Sequence, residues 1–246
     1  MARDQRSESE GREQFAFALR PPADMTEARF VRARSNADAR AWLAQEEWPD
    51  RRLWLWGPEG CGKTHLLHVW ASRRGARVMD ARLLDSVTME PKAVPGALAL
   101  DNVGAVGDER ALLHLLNMAR DSRAHVLMAG VAPPSRLDVA LPDLASRLRA
   151  TVAVAVGKPE DTLRATVLLR LLAERQLVVG QHVTDWLCRR LPRTGSALLE
   201  AVERLDAEAL ARRRPVTRTM ARHVLADLLK PDETQATPDE SRHDAR

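Results

Sequence analysis

Cysteine is scarce in this sequence, which holds only Cys61 and Cys188 in 246 residues. Two cysteines are too few for the disulfide framework of a small secreted domain. No apolar run approaches the roughly 20 residues that a membrane-spanning helix needs. Asp4, Glu8 and Glu10 stand where a secretory signal would be apolar. We therefore expect a cytoplasmic protein.

Lysine and aromatic residues are also rare. Tyrosine is absent, phenylalanine occurs 3 times, and arginine supplies almost all of the positive charge. The net charge of +4 gives only weak support for nucleic-acid binding, which requires that charge be gathered on one face. The composition of 45% hydrophobic and 29% charged residues is typical of a globular protein with one sizeable core, or with a main domain and a smaller one.

Short β-prone apolar runs alternate with helical patterns in the first two thirds of the chain. The runs lie at 53–56, 77–79, 97–100, 125–129 and 151–156, and the helical patterns at about 36–47, 63–74, 108–121 and 140–148. Continuous apolar strands separated by helices predict an α/β fold, in which a parallel sheet is covered by helices on both faces.

Beyond Gly157 the pattern is helical only. Apolar residues recur at three- and four-residue spacing at 161–176, 182–191, 196–214 and 217–230. We expect four parts: a flexible N-terminal arm at 1–28, an α/β domain at 29–157, a small all-helical lid domain at 158–230 and a disordered tail at 231–246.

The predicted strand LWLW leads into GPEGCGKT and then into a helical pattern. This is the G-x-x-x-x-G-K-[ST] pattern of a P-loop in its strand–loop–helix setting, where backbone amides and the helix N-terminus surround a phosphate. It predicts that Lys63 reaches the β- and γ-phosphates and that Thr64 holds Mg²⁺. The predicted nucleotide-binding segment is Gly57, Pro58, Glu59, Gly60, Cys61, Gly62, Lys63, Thr64 and His65.

A second strand should bring an acidic residue to the same Mg²⁺. GALALDN places Asp101 at the end of an apolar run, where ligands collect in open α/β sheets. Asp101 could instead cap the helix that follows. Many ATPases of this kind carry a glutamate next, but this chain has Asn102, which cannot accept a proton. Losing a general base typically costs about 10²–10⁴ in rate, so we expect slow turnover by the chain itself, and the helical position of Glu109 argues against a substitute.

Four segments in this order give the sequence a family resemblance. They are FVRARSN at 30–36, GPEGCGKTHL at 57–66, LALDNV at 98–103 and LPDLASRL at 141–148. Their order resembles that of the bacterial replication initiator DnaA, and more closely that of the Hda/HdaA family of DnaA-related regulators. The resemblance implies an AAA+ P-loop NTPase that acts as a negative regulator of replication initiation.

The resemblance also gives a role to the N-terminal arm. In Hda-like proteins a short segment, glutamine followed by alternating large apolar residues, docks onto the DNA-polymerase sliding clamp. Gln14, Phe15, Phe17 and Leu19 are similar to that motif. An extended peptide of this kind fills an apolar groove with alternate side chains. The segment could instead fold back and bury Phe15 and Phe17 within this chain.

By resemblance, Arg147 in LASRL matches the arginine finger that one AAA+ subunit projects into its neighbour's nucleotide site. Such a guanidinium is worth about 10³–10⁵ in rate in related phosphoryl-transfer systems. Arg149 lies two residues away, so the assignment could shift to it. The residues alone equally fit a surface arginine in a short helix.

The resemblance adds Asn36 and Arg193 to the nucleotide site, and it also shows two departures from the family pattern. The residues after HVLM, from Ala129 to Ala132, offer no side-chain donor that could sense a γ-phosphate, and Ser196 stands where the lid's sensor arginine is expected. We expect a site that holds ADP or ATP without distinguishing them sharply. This agrees with the ADP-bound working form that the resemblance implies.

Our leading hypothesis is a nucleotide-bound protein that the clamp tethers to DNA and that stimulates ATP hydrolysis by DnaA through Arg147. The expected partners are DnaA, the sliding clamp and, through the clamp, DNA; a homo-oligomer stays possible. The 16 polar residues after Lys230 leave no room for an initiator's DNA-binding domain. Two alternatives stay open: an ATPase with its own turnover, related to DnaA or to a helicase loader, and a nucleotide-binding module without activity on a partner.

Overall fold

The computed structural model describes residues 25–85 and 96–229. The predicted clamp-binding residues Gln14, Phe15, Phe17 and Leu19 lie outside this part of the chain. Within it, one parallel sheet has the strand order β2-β3-β4-β1-β5. The strands are β1 (Arg52–Trp56), β2 (Arg77–Asp80), β3 (Ala97–Asp101), β4 (His125–Gly130) and β5 (Val152–Ala155). Each lies within one residue of its predicted ends, so the predicted parallel sheet is confirmed.

Helices cover both faces of the sheet because alternate strand residues point to opposite sides. The helices of this α/β part are α1 (Ala37–Leu43), α2 (Lys63–Arg74), α3 (Glu109–Asp121) and α4 (Pro142–Arg149). Leu53 and Leu55 of β1 pack into the core that α1 and α2 cover, whereas Trp54 packs into the core that α3 and α4 cover.

Helix α1 is shorter than the predicted 36–47, because the chain turns after Ala44 to bury Trp48. The indole of Trp48 donates a hydrogen bond of 2.9 Å to the carbonyl of Trp42. It also stacks on Trp70, with a ring separation of 5.3 Å. Burying one large aromatic ring against α2 thus outweighs the helical pattern of the residues between 44 and 47.

The remaining helices form the predicted helical lid with a core of its own. They are α5 (Asp161–Glu174), α6 (Gln181–Arg190), α7 (Gly195–Arg212) and α8 (Arg218–Val224). Leu168, Leu187, Val202 and Leu205 are among the fully or almost fully buried side chains of this core. The predicted AAA+-type architecture, a parallel sheet with flanking helices and a helical lid, is confirmed.

The α/β part meets the lid near the start of α5. The amide of Gly157 donates a hydrogen bond of 2.8 Å to the carbonyl of Ser35. Ser35 donates from its own amide and hydroxyl to the carboxylate of Glu160, at 3.0 and 3.1 Å. These bonds place the residues before α1 beside the entrance to the lid. None of the helices in the described residues is long and apolar enough to cross a membrane.

Candidate nucleotide-binding site

The P-loop connects β1 to α2, and its glycines are required by the backbone. Gly60 has φ 72° and Gly62 has φ 97°, both in the left-handed region that favours glycine. A Cβ atom at Gly57 would lie only 2.2 Å from the carbonyl oxygen of Val156. The first amides of α2, from Lys63 onward, have no acceptor within the helix. Together with the helix dipole they make this loop suited to an anion.

The ammonium of Lys63 lies within the loop. It donates hydrogen bonds of 2.8 Å to the carbonyl of Gly57 and 2.9 Å to that of Pro58. The thiol of Cys61 lies 3.7 Å from Nζ of Lys63, and burial raises the pKa of this thiol. Cys61 is 6% exposed and packs into the core with α2, which gives it a packing role.

Thr64 and Asp101 meet at the end of the loop. The Thr64 hydroxyl donates a hydrogen bond of 2.6 Å to one carboxylate oxygen of Asp101, and the other oxygen accepts from the amide of Asn102 at 2.9 Å. Asp101 does not cap α3, since Asp108 does so through a 3.0 Å bond from the amide of Ala111. A hydroxyl beside a carboxylate is a donor set that fits Mg²⁺, which takes few protein oxygens and completes its shell with phosphates and water.

Neither Asn102, which cannot accept a proton, nor Glu109, whose carboxylate is bound to backbone amides, is available as a general base. Asn102 adopts φ 55°. Pairing with Arg82 lowers the pKa of Asp80, and a hydrogen bond from the side chain of Asn102 contributes to that lowering. Glu109 accepts the backbone amides of Ala140 and Leu141 at 2.9 and 2.8 Å, just before α4 begins. The expectation of slow turnover remains a prediction, with this geometry in its support.

The missing polar residue at the end of β4 has a packing reason. A Cβ atom at Gly130 would lie 2.7 Å from Cζ2 of the buried Trp54. The Trp54 indole crosses this position and donates a hydrogen bond of 3.1 Å to the carbonyl of Ala132. Position 130 therefore has no room for a larger side chain unless Trp54 moves.

A cavity of about 550 Å³ opens from the P-loop toward the lid. The residues before α1, the P-loop from Glu59 to His65, helix α5 and the start of α7 line it. Asn36 is 4% exposed and uses its side chain on the backbone, donating to the carbonyl of Val31 and accepting from the amide of Ala33, both at 3.1 Å. Asn36 thus shapes this wall of the cavity.

The lid touches the P-loop directly at Gly60. A Cβ atom there would lie 2.5 Å from the carbonyl oxygen of Arg193 and 2.7 Å from Cα of Thr194. The predicted site residue Arg193 lines the cavity, while its guanidinium pairs at 3.0 Å with Asp161. Ser196, in the sensor position, donates to the hydroxyl of Thr194, which caps α7.

Sequence reasoning missed Arg164, which holds this lid segment in place. Arg164 is 3% exposed and donates hydrogen bonds of 3.2 Å to the carbonyls of Cys188, Leu191 and Pro192. Burial lowers its pKa. The sequence did offer an indication of this role, because Arg164 occupies a core position of the helical pattern at 161–176. A charged residue is rare at such a position unless it is hydrogen-bonded.

The ring of His65 lines the cavity. Its Nε2 lies 2.8 Å from the carbonyl oxygen of Thr26, and its ring meets that of Phe30 edge-on at 5.1 Å. Burial lowers the pKa of His65. The structure therefore brings His65 together with the other P-loop residues, but its ring nitrogen is engaged with the chain before α1.

Arg147 lies apart from this site, in the last turn of α4. Its guanidinium donates two hydrogen bonds to Asp143, at 3.0 and 3.1 Å, and its side chain is 21% exposed. Arg149 is exposed at the end of the same helix. Among the described residues that line the cavity, neither arginine occurs. The structure thus leaves Arg147 partly exposed and outside the cavity beside the P-loop of its own chain.

Known proteins resemble the chain in both its parts. Residues 161–225 match the family model described as the Hda lid domain. Domain III of the Thermotoga maritima replication initiation protein DnaA superposes with a TM-score of 0.72 at 22% identity, covering 85% of this chain and 99% of that domain. AMPPCP-bound DnaA from Aquifex aeolicus gives 0.62 at 19% identity over 77% of this chain and 68% of that one.

The fold is shared more widely. The Thermotoga maritima RuvB Holliday junction branch migration motor superposes with a TM-score of 0.61 at 16% identity, covering 82% of this chain and 72% of that one. Three observations support one conclusion: the P-loop with its strand-end aspartate, the parallel sheet, and the match of the lid to the family model. The chain has the fold of DnaA domain III, an α/β P-loop domain with a helical lid, and residues 161–225 match the Hda lid domain.

Proposed function

We propose that this chain binds ADP or ATP in the cavity between the P-loop and the lid. The P-loop amides and Lys63 would hold the phosphates, while the residues before α1, together with α5, would enclose the base and ribose. The support is the joint position of a P-loop and a cavity of about 550 Å³, a size typical of small-molecule sites. The Aquifex aeolicus DnaA of the same fold was solved with AMPPCP.

Mg²⁺ fits the oxygen pair of Thr64 and Asp101, where it would bridge the protein to the phosphates and neutralise their charge. The Thr64 hydroxyl lies in the first turn of α2, and the Asp101 carboxylate lies at the end of β3. The Thr64 hydroxyl and the Asp101 carboxylate, which share a 2.6 Å hydrogen bond, would hold the cation if it binds here. The contact between these two groups supports the role that the sequence predicts for them.

We propose further that the chain is a negative regulator of replication initiation that stimulates ATP hydrolysis by DnaA. Arg147 would supply a guanidinium to the nucleotide of a neighbouring DnaA molecule. The observation that supports this is the position of Arg147, whose side chain is 21% exposed and forms an ion pair with the exposed Asp143. Solvent screens such a surface pair, so a partner's phosphates can compete with Asp143 for the guanidinium.

The proposed activity does not require the chain to hydrolyse its own nucleotide. Asn102 cannot act as a base, and Glu109 is bound to the backbone before α4. The residues from Ala129 to Ala132 carry no side-chain donor that could sense a γ-phosphate, and Trp54 restricts position 130. A protein that contributes one positive charge to a partner's reaction can dispense with all three groups.

We propose that the residues at 14–19 form a clamp-binding segment within an N-terminal arm at 1–28. The proposed α/β domain at 29–157, lid at 158–230 and tail at 231–246 follow this arm. Through the clamp the protein would be held on DNA, in the cytoplasm where replication proceeds. Placing two proteins on one clamp raises their effective concentration, so a weak contact with DnaA suffices. We propose no homo-oligomer for this activity.

The experiment that tests this function follows the conversion of ATP to ADP on DnaA in the presence of clamp loaded on DNA. We expect the wild-type chain to accelerate the conversion and clamp to be required. The Gln14→Ala/Phe17→Ala variant should lose the acceleration at low protein concentration and regain part of it at high concentration, because only the tethering is lost.

Two outcomes would contradict the proposal. Rapid phosphate release by the purified chain alone, abolished by Lys63→Ala, would support an ATPase with its own turnover. Acceleration that is absent for the wild-type chain at every concentration would leave a nucleotide-binding module without activity on DnaA.

A further inference from the structure

Residues 25–36, which we name the strap, cross from α2 to the lid along one wall of the cavity. The strap contains two short 3₁₀ turns, Glu27–Arg29 and Arg34–Asn36. Met25, Phe30, Val31 and Asn36 of the strap line the cavity. A ligand in the cavity would therefore lie between the strap and the P-loop.

The first turn of the strap is bound to α2. Arg73 donates from Nε to one carboxylate oxygen of Glu27 at 2.8 Å and from a second nitrogen to the other oxygen, which makes the ion pair bidentate. This contact lowers the pKa of Glu27 and raises that of Arg73. His65 adds its 2.8 Å contact with the carbonyl of Thr26.

The same turn is also bound to the lid. Arg170 of α5 donates a hydrogen bond of 3.0 Å to the carbonyl of Ala28. Glu174, one helical turn further along α5, forms an ion pair of 2.9 Å with Arg29. Four consecutive residues, 26–29, therefore connect a helix of the α/β domain to a helix of the lid.

The strap differs in kind from the other wall of the cavity. Where the lid meets Gly60, the contact is backbone against backbone and is held by the buried Arg164. The anchors of the strap are surface groups: the side chains of Glu27 and Arg73 are 53% and 49% exposed, and those of Arg29 and Glu174 are both 31% exposed. Exposed ion pairs are screened by solvent and break more readily than buried contacts. The strap is thus the wall that can move at small cost.

We propose that the strap gates the nucleotide cavity and that Glu27, Arg73, Arg29 and Glu174 act as positioning residues that set the rate of nucleotide release. This inference rests on the proposed nucleotide binding. A bound nucleotide leaves after the first turn of the strap parts from α2 or from α5, so weakening either anchor increases the fraction of time for which the cavity is open.

The test measures the dissociation rate of N-methylanthraniloyl-ADP from the full chain, chased with excess ADP. The charge reversals Glu27→Arg and Arg73→Glu, made singly, should each speed release by about three- to tenfold, the scale of one exposed pair plus the repulsion that replaces it. The double variant Glu27→Arg/Arg73→Glu restores opposite charges and should return the rate to within about twofold of wild type. Arg29→Glu, Glu174→Arg and their double variant repeat the cycle at the lid anchor.

The matched control is Arg204→Glu, which breaks two surface ion pairs of the lid, with Asp227 and with Glu200. None of these three residues lines the cavity. Its release rate should equal that of wild type. The neutral variants Glu27→Gln and Glu174→Gln provide the same test without repulsion if a charge reversal impairs folding. Rescue by the charge swap is the readout that a general loss of stability would not produce.

The outcomes separate this inference from the function on which it rests. If the fluorescent ADP does not bind to the wild-type chain, the proposed function fails and the gate fails with it. If it binds, but the single and neutral variants release it at the wild-type rate, only the gate is overturned. Faster release in the single variants without recovery in the double variants also overturns it, since the ion pairs would then not be the anchors.

Discussion

The hydroxyl of Thr64 donates a hydrogen bond of 2.6 Å to Asp101, joining the first turn of α2 to the end of β3. The two residues are 37 positions apart in the chain. The sheet brings them together, because β3 is separated from β1 by β4 alone and the ends of parallel strands lie at one edge. This pair is the predicted attachment of Mg²⁺ to the protein.

Asp101→Asn is expected to remove the Mg²⁺-dependent part of nucleotide binding, because an amide oxygen lacks the negative charge that a hard cation prefers. Affinity for fluorescent ADP, measured by titration with and without EDTA, should fall by about tenfold in Mg²⁺, or roughly 1.4 kcal/mol, and stay unchanged in EDTA. An unaltered response to Mg²⁺ in the variant would remove Asp101 from the metal site.

Gly130→Ala is expected to lower the free energy of unfolding by about 1–3 kcal/mol, since the new methyl group must displace the indole of Trp54. Urea denaturation measures the change. Gly107→Ala is the control, because a Cβ atom there meets nothing within 4 Å, and its effect should stay within about 0.5 kcal/mol. Equal effects of the two substitutions would show that Trp54 does not restrict the strand end.

Stability should decrease as the pH falls below 6.5. Burial lowers the pKa of His65, His68 and His125 below the usual value of 6.5. The unfolded chain therefore takes up these protons at a higher pH than the folded chain does. The stabilisation is complete above about pH 6.5 and is lost as the pH falls through the folded-state pKa values.

Urea denaturation between pH 7.5 and 5.5 measures this loss. His68→Gln should show a smaller decrease than wild type over that range, because one of the three depressed groups is gone. His68 is the suitable position, since it is 7% exposed and its Nδ1 is buried without a hydrogen-bond partner in the structure. The same slope in both proteins would assign the pH dependence to other groups.

Asp143→Asn should change the stimulation of DnaA by no more than about fivefold. The carboxylate of Asp143 holds Arg147 through a surface ion pair, which solvent screens. Single-turnover hydrolysis on DnaA measures the effect. A loss as large as that of Arg147→Ala would mean that Asp143 holds the guanidinium in its active position.

The sequence predicted those features that local patterns determine. The strands are short continuous apolar runs, and the P-loop carries its glycines, Lys63 and Thr64 in consecutive positions, so both were found to within one residue. Asp101 was predicted because a P-loop requires an acidic residue from a second strand, and ligands collect at strand ends in open α/β sheets. The loss of a sensing residue after β4 was also visible, although its cause in Trp54 was not.

Contacts between distant segments could not be predicted in this way. Arg73 and Glu27 are 46 positions apart, and Arg170 and Ala28 are 142 apart, so no spacing rule connects them. The early end of α1 depends on Trp48 reaching Trp70, which requires the folded core. Arg164 looks like any arginine of a helix until the turn before α7 is placed beside it.

The central claim is that Arg147 acts on a nucleotide held by DnaA, and single-turnover hydrolysis of radiolabelled ATP on DnaA tests it most directly. With saturating chain and clamp on DNA, Arg147→Ala should remove the stimulated rate, by about 10³-fold or down to the basal rate of DnaA. Arg149→Ala should stay within about fivefold of wild type, since an exposed neighbour contributes only the energy of a surface charge. Hydrolysis by DnaA that is stimulated equally by wild type and by Arg147→Ala would contradict the account.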